Sequence, residues 1–359
     1  MKDRQSCIVT ITDGISPTSM PFNEFILYRL KHYPDEKQIL IQVFEKGVDK
    51  NVEIPKDVSF YSLGMSILKV YKTIKCIEQE YDVKAYHIHE GKSVILFSVA
   101  TFWKYRNKSI YTLHSTYKNY PFHNKLFSFC ASLLARDIVC VSKTSYKYYP
   151  NILKSLRGRH AMYIQNGVDI ERIDAVDIEN KRNPDVFTMV YVARLIPLKR
   201  HNIIINAIEN VSNVRLKLIG QGPLKEQLAN DAKRLGVRDK IEFVGLLPRE
   251  EVYRALKNAD LYVSTSSYEG LPIGVLEAMG CGISCLVSDI EQHAEIAEKC
   301  PSLLLCSDNV NDWFKQIDNL KEMSYQERRN LGKMNKKGAN DFFSLASMHA
   351  QYDELYFKE

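Results

Sequence analysis

Apolar residues along this chain recur in short runs that stop at polar or glycine-bearing turns, separated by segments whose apolar positions fall at helical spacing. In the first half SCIVTITDG, QILIQVFE, KAYHIHEG, SIYTLHST, DIVCVS and AMYIQNGVD read as strands, and NEFILYRLKHY, MSILKVYKTIKCIEQEY and KLFSFCASLLAR as helices between them. The polar, proline-bearing stretch DAVDIENKRNPDV reads as a linker over 174–186. Beyond it the alternation restarts, with FTMVYVARL, VRLKLIGQG, KIEFVG, LYVSTSS and SCLVSD as strands. RHNIIINAIENV, LKEQLANDAKRLG, REEVYRALKNA and EQHAEIAEK supply helices, and FFSLASMHAQYDELYF a last amphipathic one. Strands alternating with helices predict parallel sheets covered on both faces. The expected class is α/β, with two doubly wound domains over 1–173 and 187–340 and a closing helix over 341–359. Ligands of such sheets bind outside the carboxyl ends of the strands, so a cleft between two facing domains is the expected site.

A length of 359 residues suits two cores, and 45% apolar with 26% charged residues suits a soluble protein. The opening MKDRQSCIVTITDG lacks the apolar core of a secretory leader. The longest apolar patch, Ser93–Trp103, is broken by Ser and Thr, and is about half of the roughly twenty residues a spanning helix needs. A cytoplasmic chain is expected. Eight cysteines without Cys-x-x-Cys spacing read as buried free thiols. There is no Asp-x-Asp and no His/Cys cluster with metal spacing, so neither a metal nor another cofactor is expected.

The net charge of +6 is unevenly spread. Between Ala100 and Gln165 eleven Lys and Arg, Arg157 and Arg159 among them, face the single acid Asp137, with Tyr and Phe interleaved. Such a stretch is either a solvated basic face or a surface that meets something anionic: membrane headgroups, a lipid diphosphate or nucleic acid. No nucleic-acid reading motif accompanies it, which leaves a peripheral position at the inner face of the plasma membrane as the expectation.

The densest chemistry lies in SSYEGLPIGVLEAMGCG, Ser266–Gly282. A strand ends and the turn Glu269-Gly270-Leu271-Pro272 leads into a helix starting near Pro272, since Pro suits the first helical position. The free N–H groups of that helix start make a seat for an anion such as a diphosphate. Gly274, in the first turn, lets a ligand approach the backbone. Two acids beside an anion seat, Glu269 and Glu277, make sense as acceptors of hydroxyl hydrogen bonds, one from a sugar and one from a ribose.

This arrangement resembles the Glu-x7-Glu signature of the family-4 retaining glycosyltransferases, and the likeness extends through FVGLLPREEVYRALKNADLYVSTS before it and EAMGCGISCLVSDIEQHAEI within and after it. The resemblance implies the GT-B fold, with two Rossmann-like domains facing a central cleft and a C-terminal helix packing back toward the N-terminal domain. It implies that Glu277 holds the ribose. Glu269 and the stretch Gly270, Leu271, Pro272, Ile273 and Gly274 would hold the donor sugar and diphosphate. In VARLIPLKR, Arg194 and Lys199 match the family's two cations, which hold the diphosphate and stabilise the leaving nucleotide. Ala193 and Arg200 stand where the family has glycines. Gly220 and Gly222 in LIGQGPL resemble its nucleotide-side glycine turn, and QNGVD its crossover turn.

In SIYTLHST, His114 matches the family histidine that reaches the donor sugar, and His87 and His89 resemble its His-x-His strand end. The first loop departs from the family. TDGISPTSMPFNE holds Gly14 alone where a Gly-Gly pair approaches the diphosphate, with Ser16, Thr18 and Ser19 as substitute donors. Taken together, the resemblance implies a metal-independent retaining glycosyltransferase. It would use a UDP- or GDP-linked sugar and a glycan or polyprenyl-diphosphate-linked acceptor in bacterial surface polysaccharide or glycoconjugate synthesis. The alternatives are a non-catalytic glycosyltransferase-like subunit and an epimerase or hydrolase acting on nucleotide sugars.

Overall fold

The computed structural model describes residues 4–16, 19, 21–45, 52–155, 160–178 and 183–358. The chain forms two compact units, Met1–Asn166 with Leu345–Glu359, and Gly167–Ser344. In the first unit the strands are β1 (Ser6–Thr12), β2 (Lys37–Gln42), β3 (Ser59–Ser62), β4 (Asp82–Ile88), β5 (Ser109–Leu113), β6 (Asp137–Cys140) and β7 (His160–Tyr163). They pair in the order β3-β2-β1-β4-β5-β6-β7, every pair parallel. Alternation along the strands builds two cores. Val9, Ile11, Ile88 and Leu113 face helices Ile67–Glu80, Gly91–Ala100 and Phe122–Leu134 through Val70, Ile74, Phe97 and Ala131. Ile8, Ala85, Ile110 and Val139 turn the other way, onto Phe25 and the last helix, Leu345–Tyr356.

The second unit holds β8 (Phe187–Val192), β9 (Val214–Ile219), β10 (Ile241–Gly245), β11 (Leu261–Ser264), β12 (Ser284–Ser288) and β13 (Leu304–Cys306). The order is β10-β9-β8-β11-β12-β13, again all parallel. Met189, Leu216 and Val263 bury one face against Ile204, Leu228 and Trp313. Val190, Tyr262 and Val287 bury the other against Tyr253, Val275 and Phe343. Both units are the doubly wound parallel sheets that the alternation predicts. In each, strand order reverses beside the first strand of the unit: between β1 and β4, and between β8 and β11.

Several local details depart from the pattern-based reading. Edge strands β3, partly exposed along SFYS, and β13, three residues long, are not read from the sequence. NEFILYRLKHY opens as a π-helical turn, Pro21–Leu27, before its α-helical part, Tyr28–His32. The last segment is two helices, Tyr325–Phe343 and Leu345–Tyr356, broken at Ser344. The crossover turn serves structure. Val168 N–H donates to the Phe343 carbonyl at 2.8 Å, and Asp169 caps helix Ile170–Asp174 through the Arg172 N–H at 2.9 Å. That helix and Val176 belong to the second unit. Among the eight free cysteines, Cys76 is exposed and Cys130 half-buried, unlike the all-buried reading. Among the described residues no helix is long and apolar enough to cross a membrane.

Candidate active site

In the second unit the loops that follow β8 and β11 lie side by side, because those strands are parallel neighbours. This is where the strand order reverses, the position at which a parallel sheet opens a crevice for a ligand. Backbone chemistry locks the two loops together. Ser267 N–H donates to the Leu198 carbonyl at 3.0 Å. The Tyr191 hydroxyl donates to the Lys199 carbonyl at 2.7 Å, and the Thr265 hydroxyl lies 2.9 Å from the carbonyls of both Lys199 and Arg200.

Arg200 has φ 45° and ψ 43°, a left-handed backbone that suits the glycine of the family pattern. A side chain there costs roughly 1 kcal/mol. Its guanidinium offsets that cost by donating to the Thr265 carbonyl at 2.8 Å, the Ser266 carbonyl at 3.0 Å and Asp308 at 2.7 Å. The arginine in place of glycine is therefore a clamp on the strand end.

On this frame Lys199 forms an ion pair with Glu269, their side chains 18% and 11% exposed. Arg194 is exposed, and its guanidinium has no ion-pair partner among the described residues. Helix Ile273–Gly280 follows, with Pro272 at its cap rather than inside its first turn, and no side chain caps it. Its leading N–H groups are left for water or a ligand. Gly274 packs closely here: a Cβ on it would lie 3.1 Å from the Tyr262 hydroxyl.

The glycine turn after β9 has a steric reason. Gly220 has φ +140°, and a Cβ on it would lie 2.0 Å from the Ala193 carbonyl oxygen. A Cβ on Gly222 would lie 2.3 Å from the Leu195 carbonyl oxygen. Both glycines thus admit the backbone that carries Arg194, and Leu195 N–H donates to the Gln221 carbonyl at 2.8 Å.

Glu277 is 6% exposed. Its carboxylate accepts from the Tyr253 hydroxyl at 2.9 Å and pairs with Arg249 at 2.9 Å. Arg249 and Tyr253 were missed by the sequence reading. Their spacing on helix Arg249–Lys257 was the available signal, since residues four apart share a helix face. His293 was also missed. It is fully buried, its Nδ1 2.7 Å from the Ser288 carbonyl and its Nε2 without a hydrogen-bond partner among the described residues. Burial holds it down at about 4, against an opposing pull from Glu269. A hollow of about 760 Å³ lined by Thr188, Arg215, Lys217 and Arg254 lies at the amino ends of β8 and β9, the wrong end of a parallel sheet for its ligand.

The first unit gathers its own polar cluster at the carboxyl ends of β1, β4 and β5. His89 Nδ1 lies 2.9 Å from His114 Nε2, and burial lowers His114 to about 4, so the ring is neutral at pH 7. His87 is committed to the core, 2.6 Å from the Tyr356 hydroxyl and 2.7 Å from the Thr112 hydroxyl. Gly14 does not stand in open space: a Cβ on it would lie 2.1 Å from the Glu45 carboxyl carbon. Ser19 N–H donates to the Ser16 carbonyl at 2.9 Å, and Thr18 lies outside the described residues.

Next to this loop, Glu90 accepts from the Asp13 N–H at 3.0 Å and the Thr12 hydroxyl at 3.3 Å. Burial, then the Asp13 charge, raise Glu90 to about 8 from 4.5. A raised acid binds its proton more tightly folded than unfolded. Its stabilisation is complete below pH 4.5 and is lost as pH rises toward 8. Glu90→Gln, which cannot ionise, is expected to gain on the wild type in Tm as pH is raised from 5 to 8. A Tm difference that stays flat with pH would mean that Glu90 is ionised throughout.

Residues 173–338 match the model of the family described as glycosyl transferases group 1. The chain is 26% identical over 268 residues to the UDP-Gal:alpha-D-GlcNAc-diphosphoundecaprenol alpha-1,3-galactosyltransferase of Escherichia coli, covering 67% of this chain and 64% of that one. It spans 50% and 36% of the length of two further curated relatives. Among solved structures, sucrose-phosphate synthase from Thermosynechococcus elongatus superposes with a TM-score of 0.80 at 16% identity, over 98% of each chain. HepE of Anabaena, solved with UDP and glucose, superposes with a TM-score of 0.78 at 20% identity, over 97% of this chain and 98% of that one. At these identities the superpositions speak for the fold, which is of the GT-B class.

Proposed function

We propose that this chain, whose residues 173–338 match the glycosyl transferases group 1, moves a sugar from a nucleotide-diphosphate sugar to a glycan or lipid-linked glycan, with retention of anomeric configuration. The observation that carries this reading is the loop pair after β8 and β11. It holds Lys199 against Glu269, leaves Arg194 free of an ion pair among the described residues, and stands beside an uncapped helix start. Two cations and a helix N-terminus suit a diphosphate. Two carboxylates, Glu269 and Glu277, suit the hydroxyls of the sugar and the ribose.

The reaction follows from that assignment. The bond from the sugar C1 to the diphosphate oxygen breaks, and negative charge grows on the leaving phosphate. Arg194, Lys199 and the N–H groups near Ile273 and Gly274 lower that barrier, because they are already oriented when the charge appears. The acceptor hydroxyl bonds to C1 from the same face, and its proton passes to the departing phosphate oxygen. No side chain acts as base. His114, neutral at pH 7, offers a ring nitrogen of the first unit for a hydrogen bond to a sugar hydroxyl. With two cations and a helix start to meet the diphosphate, no divalent cation is required.

Two relatives bear on the substrates. The Escherichia coli enzyme is named for UDP-Gal and a diphosphoundecaprenol-linked acceptor, and the Anabaena protein was solved with UDP. These support a UDP donor and a polyprenyl-diphosphate-linked acceptor in surface glycan synthesis. An anionic membrane surface would then meet the basic stretch of the first unit, of which Arg157 and Arg159 lie outside the described residues.

The test is incubation with UDP- and GDP-sugars and a polyprenyl-diphosphate-linked sugar acceptor, in the presence of EDTA, with the product anomer read by NMR. Transfer with the donor's anomeric configuration, undiminished by EDTA, is expected. An inverted product, or activity that returns only with added Mg²⁺ or Mn²⁺, would overturn the retaining, metal-free mechanism. Donor consumption without a glycosylated product would overturn transfer itself.

A further inference from the structure

Helix Gly91–Ala100 ends at Thr101, and the next two residues are aromatic. The backbone closes the helix with paired reverse bonds, Trp103 N–H to the Ser98 carbonyl at 3.0 Å and Phe102 N–H to the Val99 carbonyl at 3.3 Å. This closure demands a left-handed residue after the cap, the place where glycine is usual. Here Phe102 takes φ 51°, and Trp103 follows at φ 56°. Bulky L-residues rarely enter that region. Neither ring gains burial in return: Phe102 is 76% and Trp103 51% exposed. Folding alone accounts for the turn and gives no reason for two strained, solvent-facing aromatics within it.

The neighbouring helix extends the same surface. Tyr71 of helix Ile67–Glu80 meets Phe102 edge-on, ring centroids 6.4 Å apart. Ile67, one helical turn before Tyr71, and Leu68 beside it are 50% and 60% exposed. Cations surround these side chains. Lys69, Lys72 and Lys75 are exposed along the helix, and Lys104 follows the aromatic pair. No acid occurs from Ser66 to Ile77 or from Thr101 to Arg136. The nearest acid on the helix, Glu78, is occupied by the Tyr86 hydroxyl at 2.7 Å and by Lys108 at 3.6 Å.

We propose that the first unit docks on an anionic lipid bilayer by inserting Phe102 and Trp103, with Ile67, Leu68 and Tyr71 at the headgroup boundary and the surrounding lysines on the lipid phosphates. This rests on the lipid-linked acceptor reading and refines it. Apolar rings at the centre of a lysine border match an interface whose interior is hydrocarbon and whose rim is negative. Two weak signals acting together are what stable attachment to a bilayer requires. The insertion point is set by the turn at the end of one helix and the first turns of another, and charge along 100–165 supplies only part of the attachment.

The chain holds two tryptophans, Trp103 and the fully buried Trp313, so one of them reports on insertion. The experiment uses the full chain with vesicles of phosphatidylcholine, alone or mixed with phosphatidylglycerol, some carrying brominated acyl chains. Quenching and a blue shift are expected on mixed vesicles for the wild type and for Trp313→Phe, and not for Trp103→Phe. The double variant Phe102→Ser, Trp103→Ser is expected to bind mixed vesicles roughly tenfold or more weakly, with Tm and UDP binding unchanged. Vesicle binding without Trp103 quenching, or equal binding by the double variant, would overturn insertion in favour of charge alone. Self-association of the lipid-free chain that the double variant abolishes would assign the patch to a second copy, and would also overturn it. Transfer to a water-soluble acceptor is measured in parallel. Its loss with quenching intact removes the glycosyltransferase reading and leaves docking standing, whereas transfer without quenching does the reverse.

Discussion

Arg194→Ala is expected to lower kcat/KM roughly 100-fold, the loss typical of one preorganised donor to a charge that grows in the transition state. Stability is expected to stay within about 0.5 kcal/mol of the wild type. The combination follows from placement. Arg194 is exposed and has no ion pair among the described residues. The loop that carries it is held instead by backbone bonds to Gln221 and by two glycines that admit it closely. Truncating the guanidinium therefore removes charge without unfastening the loop. Lysine in the same place should recover part of the rate, because a point charge still meets a phosphate, though without the planar fork. An unchanged rate in Arg194→Ala would remove this residue from the reaction. A fall in Tm alongside the fall in rate would mean that the guanidinium supports the fold.

How much of this was legible in the sequence depends on how local each feature is. The parallel sheets follow from apolar runs buried on both faces, a property of each segment by itself. Glu269 and Glu277 stand out by their placement around a glycine- and proline-bearing turn, whereas Arg194 and Lys199 are singled out by resemblance to the family's pair of cations. What stayed hidden depends on what the fold brings together. Arg200 reads as a glycine lost, yet its side chain compensates for its left-handed backbone through acceptors just past the end of β11 and at Asp308, 65 to 108 residues away in sequence. Glu277 reads as a holder of ribose hydroxyls, and Arg249 and Tyr253 fix its Oε1 from another helix. Gly14 reads as part of a phosphate cradle, yet the Glu45 side chain lies against it. Asp13 and Glu90 crowd the same loop with polar side chains. Edge strand β13 escapes because it is three residues long, and β3 because its SFYS run is partly exposed and carries no buried alternation.

Lys199→Ala is expected to be the more damaging change, lowering kcat/KM roughly 1000-fold, the upper end for a single charge-stabilising group. Two losses combine in it. On the proposed mechanism the ammonium no longer meets the leaving phosphate, and Glu269 loses its ion-pair partner. The backbone should hold, because Tyr191 and Thr265 bind the Lys199 carbonyl and not its side chain. The pair is only part-buried, its side chains 18% and 11% exposed, so the stability loss is put at about 1–3 kcal/mol, below that of a fully buried pair. A double-mutant cycle with Glu269→Ala separates the two contributions. If the pair acts as one device, the double variant loses less than the two single losses combined, with a coupling of about 0.5–3 kcal/mol. Strict additivity in kcat/KM would mean that the cation and the carboxylate work independently. The sugar-holding role proposed for Glu269 would then have to stand without orientation by Lys199.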